Sequence, residues 1–176
     1  MIKPHFEMFA RYNQWANARL YTVSATLPEE AYRRNVGAFF GSLHGTLNHL
    51  LTADRIWMRR LTGEGDHPAV LNAILFEDFA ALRVAREAED QRIIRYVEQL
   101  TESQLESTWD YRTLSGAPQR QPLRDILAHL FNHQTHHRGQ AHAVLTILGV
   151  AEPGPWDLLI LQREKASLSA PRDGQS

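Results

Sequence analysis

The sequence predicts an all-α chain folded as a four-helix bundle. Three observations carry that expectation. Four long stretches place apolar residues at helical spacing, each is bounded by a turn or capping residue, and strand-like text is confined to one short segment. The chain has 176 residues, 43% hydrophobic and 22% charged, which fits a single domain with a sizeable core. That domain is expected over 1–166, followed by a polar tail, SLSAPRDGQS, over 167–176 that frays.

The first helix is expected from about His5 to Leu27, with Phe6, Phe9, Ala16, Leu20 and Val23 on one face and Pro28 ending it. The second runs from about Ser42, an N-cap residue type, to Leu61, where Gly63 and Gly65 stop it. The third spans about Glu77 to Leu100, and its alternating charges mark an exposed face. STWDYRTLSGAPQRQ then breaks the helical pattern with a Ser-Gly turn and reads as a small hairpin or ordered loop before the fourth long helix. That helix starts at Pro122 and ends at Gly149. A short fifth helix is expected from Trp156 to about Lys165.

Composition excludes several classes of function. A net charge of −1 supplies no field to recruit nucleic acid or an acidic membrane surface. No apolar run approaches the ~20 residues of a membrane span, and the first residues lack the apolar region of a signal peptide. The chain has no cysteine, so disulfides, thiolate ligands and a cysteine nucleophile are all excluded. These features lead to the expectation of a cytoplasmic protein.

The nine histidines are unevenly spread, and four of them fall in AHLFNHQTHHRGQ of the fourth helix: His129, His133, His136 and His137. At about 100° per residue, with His129 at 0°, His133 lies near 40°, His137 near 80° and His136 near −20°. The apolar residues of the same helix centre at about 100°. His133 and His137 therefore point most nearly inward, His129 and His136 lie on the flank, and His142 lies opposite near 220°. The i, i+4 pair His133 and His137 is the best chelating pair, since neutral imidazole is a common metal ligand. Gln134 follows the first histidine of that pair where HExxH proteases carry glutamate, so peptide hydrolysis is not expected.

A third ligand is expected from the second helix, which carries His44 and His49 about 140° apart on the wheel. They flank the apolar face on opposite sides, so periodicity does not choose between them. Asp54 falls within the apolar arc and needs a partner: a ligating histidine, an arginine or the metal. Arg138 suits a carboxylate that steadies the helix, or an anionic substrate. Gln140 lies on the histidine face, within reach of hydrogen bonds in the site. Trp15 and Trp57 are candidates for pocket walls or plain core. Gly139 costs about 1 kcal/mol against alanine in a helix interior, which points to close packing by a neighbouring helix.

YNQWAN in the first helix, GTLNHLLTADRIW in the second and HLFNHQTHHRGQ in the fourth together resemble the DinB/YfiT-like superfamily. The most specific part is His-x-x-x-His-Arg-Gly-Gln, matched by His133, His137, Arg138, Gly139 and Gln140. The resemblance implies a bundle with a crossover connection rather than simple up-and-down order. By motif position it also implies a metal held by His49, His133 and His137. The metal expected is a divalent transition ion, Zn or Ni first, with Fe or Mn as alternatives. The resemblance further implies a metal-dependent enzyme of thiol-linked transferase or hydrolase type. Its expected partners are a small-molecule substrate such as a low-molecular-weight thiol, and a second copy of the chain in a homodimer. The alternative functions are a non-catalytic metal-binding stress-response protein, or a structural bundle whose histidines hold no metal.

Overall fold

The computed structural model describes residues 1–169, with side chains through 166. Seven helices and one hairpin follow in chain order: α1 (Lys3–Ser24), α2 (Glu29–Arg33), α3 (Leu43–Thr62), α4 (Phe79–Gln99), α5 (Glu102–Glu106), β1 (Thr108–Arg112), β2 (Pro118–Pro122), α6 (Leu123–Ile147) and α7 (Leu158–Ser169). The four long helices α1, α3, α4 and α6 are those expected, and the short strand-like segment is an antiparallel hairpin pairing Trp109 with Gln121 and Tyr111 with Gln119. The last helix begins two residues later than expected and extends through 167–169, the first residues of the expected tail. The remainder of that tail, 170–176, lies outside the described residues.

Helix ends follow local chemistry. The Ser42 hydroxyl accepts from the Gly45 amide, and Gly63 closes α3 in the left-handed conformation (φ 76°). The Asp78 carboxylate caps α4 by accepting from the Ala81 amide at 2.7 Å. Two five-residue helices, α2 and α5, were not expected. The second is held by a reciprocal capping box between Thr101 and Gln104.

α1 packs on α4 and α6, and α3 packs on the same two helices. Helices α1 and α3, consecutive among the long four, therefore sit diagonally, and the chain crosses the bundle between them. This arrangement sets α3 beside α6, the two helices that carry the candidate ligands.

The core is built in two apolar halves. Phe6, Met58, Leu61, Ile93, Val97, Leu127 and Leu130 fill one, and Leu20, Leu43, Leu47, Leu50, Leu82, Val144 and Leu145 fill the other. Between them along each helix lies a buried polar layer to which all four long helices contribute. Arg86 of α4 pairs with Asp54 of α3 at 2.7 Å and with Asp90 at 3.0 Å. Asn13 and Asn17 of α1 donate to Asp90, and Gln134 of α6 donates to Asp54 at 2.7 Å. Arg138 completes the layer by donating to Asn13 and Asn17. Two arginines against two aspartates balance its charge, and the amides satisfy further lone pairs, as buried ions require.

Candidate metal centre

His49, His133 and His137 each offer one ring nitrogen, and these atoms all lie within 4.8 Å of one another. Two come from adjacent turns of α6, with ring centroids 4.3 Å apart. The third arrives from α3, with centroids 4.4 Å from His137 and 5.2 Å from His133. His49 and His137 are buried and His133 is partly exposed, so the cluster sits at the edge of the bundle, as the helical wheel anticipates for the α6 pair.

Hydrogen bonds fix which nitrogen His49 and His137 present. The His49 Nδ1–H donates to the Leu71 carbonyl at 2.7 Å, which leaves Nε2 as the lone-pair nitrogen. That Nε2 is buried and has no hydrogen-bond partner. The His137 Nδ1–H donates to Gln140 Oε1 at 2.8 Å, and the Gln140 amide nitrogen lies 3.2 Å from His136 Nε2. Gln140 is thus a hydrogen-bonding member of the site, as its place on the wheel suggested. Phe40, from the loop before α3, stacks on His49 with centroids 3.8 Å apart and meets His137 edge-on. Sequence reasoning missed Phe40, because no periodic signal links that loop to the histidines.

All three imidazoles are held neutral. Burial, opposed by the Leu71 hydrogen bond and assisted by His137, lowers the His49 pKa to about 4. Burial and the neighbouring rings, His137 foremost, lower that of His133 to about 3. Burial also lowers His137, against the bond to Gln140. Neutral rings with free lone pairs are the form that binds a transition metal. The orphaned, buried Nε2 of His49 and the all-imidazole donor set therefore fit such an ion.

The remaining candidates separate cleanly. His44 turns to the Phe76 carbonyl at 3.0 Å and packs against Tyr32, away from the cluster. His142 packs on Trp156, with Nε2 3.3 Å from the Gly154 carbonyl. His129 is exposed beside His133 and Trp57, and His136 is exposed beside His137. Trp57 therefore walls the neighbourhood of the site, whereas the Trp15 indole donates to Glu164 of α7.

Three expectations are settled in the structure. The partner of Asp54 is an arginine, Arg86, and the carboxylate faces the core rather than the histidines. Arg138 takes the structural role, buried within the polar layer. The close packing expected at Gly139 is overturned: the residue is exposed, and a Cβ built there meets nothing within 4 Å.

Fold and site together define a crossed four-helix bundle with three convergent histidines on α3 and α6 that could hold one metal ion. The model of the DinB family matches residues 1–166, and the chain belongs to that family. It is also similar to Protein DinB of Bacillus subtilis (strain 168), 27% identical over 165 residues, an alignment covering 88% of this chain and 94% of that protein.

Proposed function

We propose that the protein is a metal-dependent enzyme that acts on a small molecule through His49, His133 and His137, of the transferase or hydrolase type that uses a thiol-linked substrate. The observation that carries this is the unpartnered, buried Nε2 of His49 facing two neutral imidazoles. A divalent transition ion, Zn or Ni first, with Fe or Mn as alternatives, would supply Lewis acidity and lower the pKa of a bound water or thiol. Three protein ligands leave room for such a group, as catalytic sites require.

The chain's own residues supply the rest. Leu71 and Gln140 orient the rings of His49 and His137 through their Nδ1 atoms. Phe40 shields one face of His49 from water. No carboxylate of the described residues joins the cluster. Proton transfer therefore falls to the neighbouring imidazoles of His129 and His136, both exposed to a substrate arriving from solvent.

A cytoplasmic location and a homodimer belong to the same proposal. Among the described residues no helix is long and apolar enough to cross a membrane. Phe39, Val70, Leu71 and Ile74 are exposed apolar side chains in the loops flanking α3, and they give a second copy a surface to cover.

The test is turnover. Protein loaded with Zn or Ni is assayed for joining low-molecular-weight thiols to small electrophiles, beside the His49/His133/His137 triple-alanine variant. Activity confined to the loaded wild type supports the enzyme. Tight metal binding with no turnover across the panel would favour the non-catalytic metal-binding protein instead.

A further inference from the structure

One cation along the bundle from the candidate centre is left without a counter-ion. Arg60, near the end of α3, lays its guanidinium 4.6 Å from the centre of the Trp57 ring and 5.3 Å from that of Tyr111 on β1. Its Nε is buried with no hydrogen-bond partner, and no ion pair of the described residues engages its guanidinium. Other buried or partly buried arginines differ: Arg86 has Asp54 and Asp90, Arg92 has Glu89, Arg55 has Asp66, and Arg138 has the amide oxygens of Asn13 and Asn17. Desolvating a guanidinium without a partner costs free energy, and burial accordingly lowers its pKa.

Arg60 is tied to the histidines through a continuous wall. Trp57 meets His129 edge-on at 5.3 Å, and His129 lies 5.7 Å from His133, centroid to centroid. Burial lowers the His129 pKa, and the neighbouring Arg60 charge lowers it further. His129 stands one turn before His133 on α6, and on α3 Arg60 lies eleven residues beyond His49, about 16 Å of helical rise, so the guanidinium sits well away from the cluster along the bundle. The hairpin completes this end, because the Trp109 indole donates to the Arg60 carbonyl at 3.1 Å and anchors the strand that carries Tyr111.

We infer that Arg60, flanked by Trp57 and Tyr111, is an oxyanion subsite that binds the carboxylate or phosphate end of an elongated small substrate whose reacting end lies at the histidine cluster. Aromatic contacts hold the guanidinium, and its terminal Nη groups, which unlike Nε are not buried and donate to no described residue, are left to grip an oxyanion. The inference rests on the proposed metal-dependent function for the far end of the substrate, but not for the anion contact itself.

The experiment is an NMR titration of the full chain, zinc-loaded and metal-free, with naphthalene-2-carboxylate, 2-naphthyl phosphate and the uncharged naphthalene-2-carboxamide. At least one anion is expected to bind about ten-fold tighter than the carboxamide in both forms, and the tighter anion names the group. Arg60→Gln should abolish that preference while leaving zinc affinity unchanged. Arg60→Met, which keeps the apolar stem over Trp57, is the second uncharged variant if the first fails to fold. An anion preference that survives either folded variant overturns the inference. So does one that vanishes on metal removal, because the oxyanion would then be bound by the metal. Failure to bind zinc, with the Arg60-dependent preference intact, would overturn the metal-dependent function and leave the subsite standing.

Discussion

The Gln134 side-chain amide donates to the Asp54 carboxylate at 2.7 Å across the interface of α6 and α3, one residue after His133. It also donates to the Leu50 carbonyl at 2.9 Å. The histidine-rich stretch of α6 thus serves two faces. His133 and His137 turn to the candidate centre, while Gln134 and Arg138 turn into the polar layer that joins all four long helices. That division explains why glutamine follows His133: a glutamate would bring a second carboxylate against buried Asp54.

Gln134→Glu is therefore expected to destabilise the protein by about 3 kcal/mol or more, through like charges in a desolvated site or a forced protonation. It should also confer no peptidase activity, although it recreates HExxH in sequence. Urea denaturation with unchanged m-value measures the loss, and an unchanged midpoint would contradict the role given to Gln134.

Arg86→Met removes the central cation and leaves Asp54 and Asp90 buried without it. The expected loss is about 3–5 kcal/mol, the range for breaking a buried pair from one side. Replacing Asp54, Arg86 and Asp90 together by apolar residues of similar size should cost far less, because no orphaned charge remains. A triple variant as unstable as the single one would argue that the layer contributes more than its charge balance.

Gly139→Ala should raise stability by up to about 1 kcal/mol, since the residue is helical and exposed, and a methyl group there meets nothing. Thermal melting checks this with metal content as control. A loss of stability would show that another molecule covers this face of α6.

The metal-free protein should lose stability as pH falls from about 6.5 toward 4. The pKa of His49 is lowered from 6.5 to about 4 and that of His133 to about 3, so in this window the unfolded chain binds protons that the folded chain excludes. The stabilisation is complete above 6.5 and declines as pH drops toward the folded values. Melting in chelator at stepped pH tests it, with His49→Gln and His133→Gln flattening the profile. An equally steep profile in those variants would contradict the neutral cluster.

Much of this was legible in the sequence where local chemistry is strong. Ser42 and Gly63 marked both ends of α3, and the Ser-Gly turn announced the hairpin. The helices α2 and α5 escaped because five residues hold too little periodicity to register, although the Thr101–Gln104 capping box was there to be found. On α6 the wheel alone ranked His133 and His137. On α3 it could not separate His49 from His44, because the two flank the apolar face symmetrically. Family resemblance singled out His49, and in the structure His44 turns instead to the Phe76 carbonyl. Asp54 announced its need for a partner but not the identity of Arg86. Arg86 and Asp90 stand in a charged run of α4 whose neighbours Arg83 and Glu87 pair with each other at the surface, so nothing local marked those two as buried.

The central claim, that His49, His133 and His137 hold a metal, is tested most directly by the metal content of untagged protein, measured by mass spectrometry beside the triple-alanine variant. The account predicts about one transition-metal ion per chain in the wild type and in His142→Ala, and loss of that ion in the triple variant. A wild type that carries no metal and fails to take up added Zn or Ni, or a triple variant that retains it, would contradict the account.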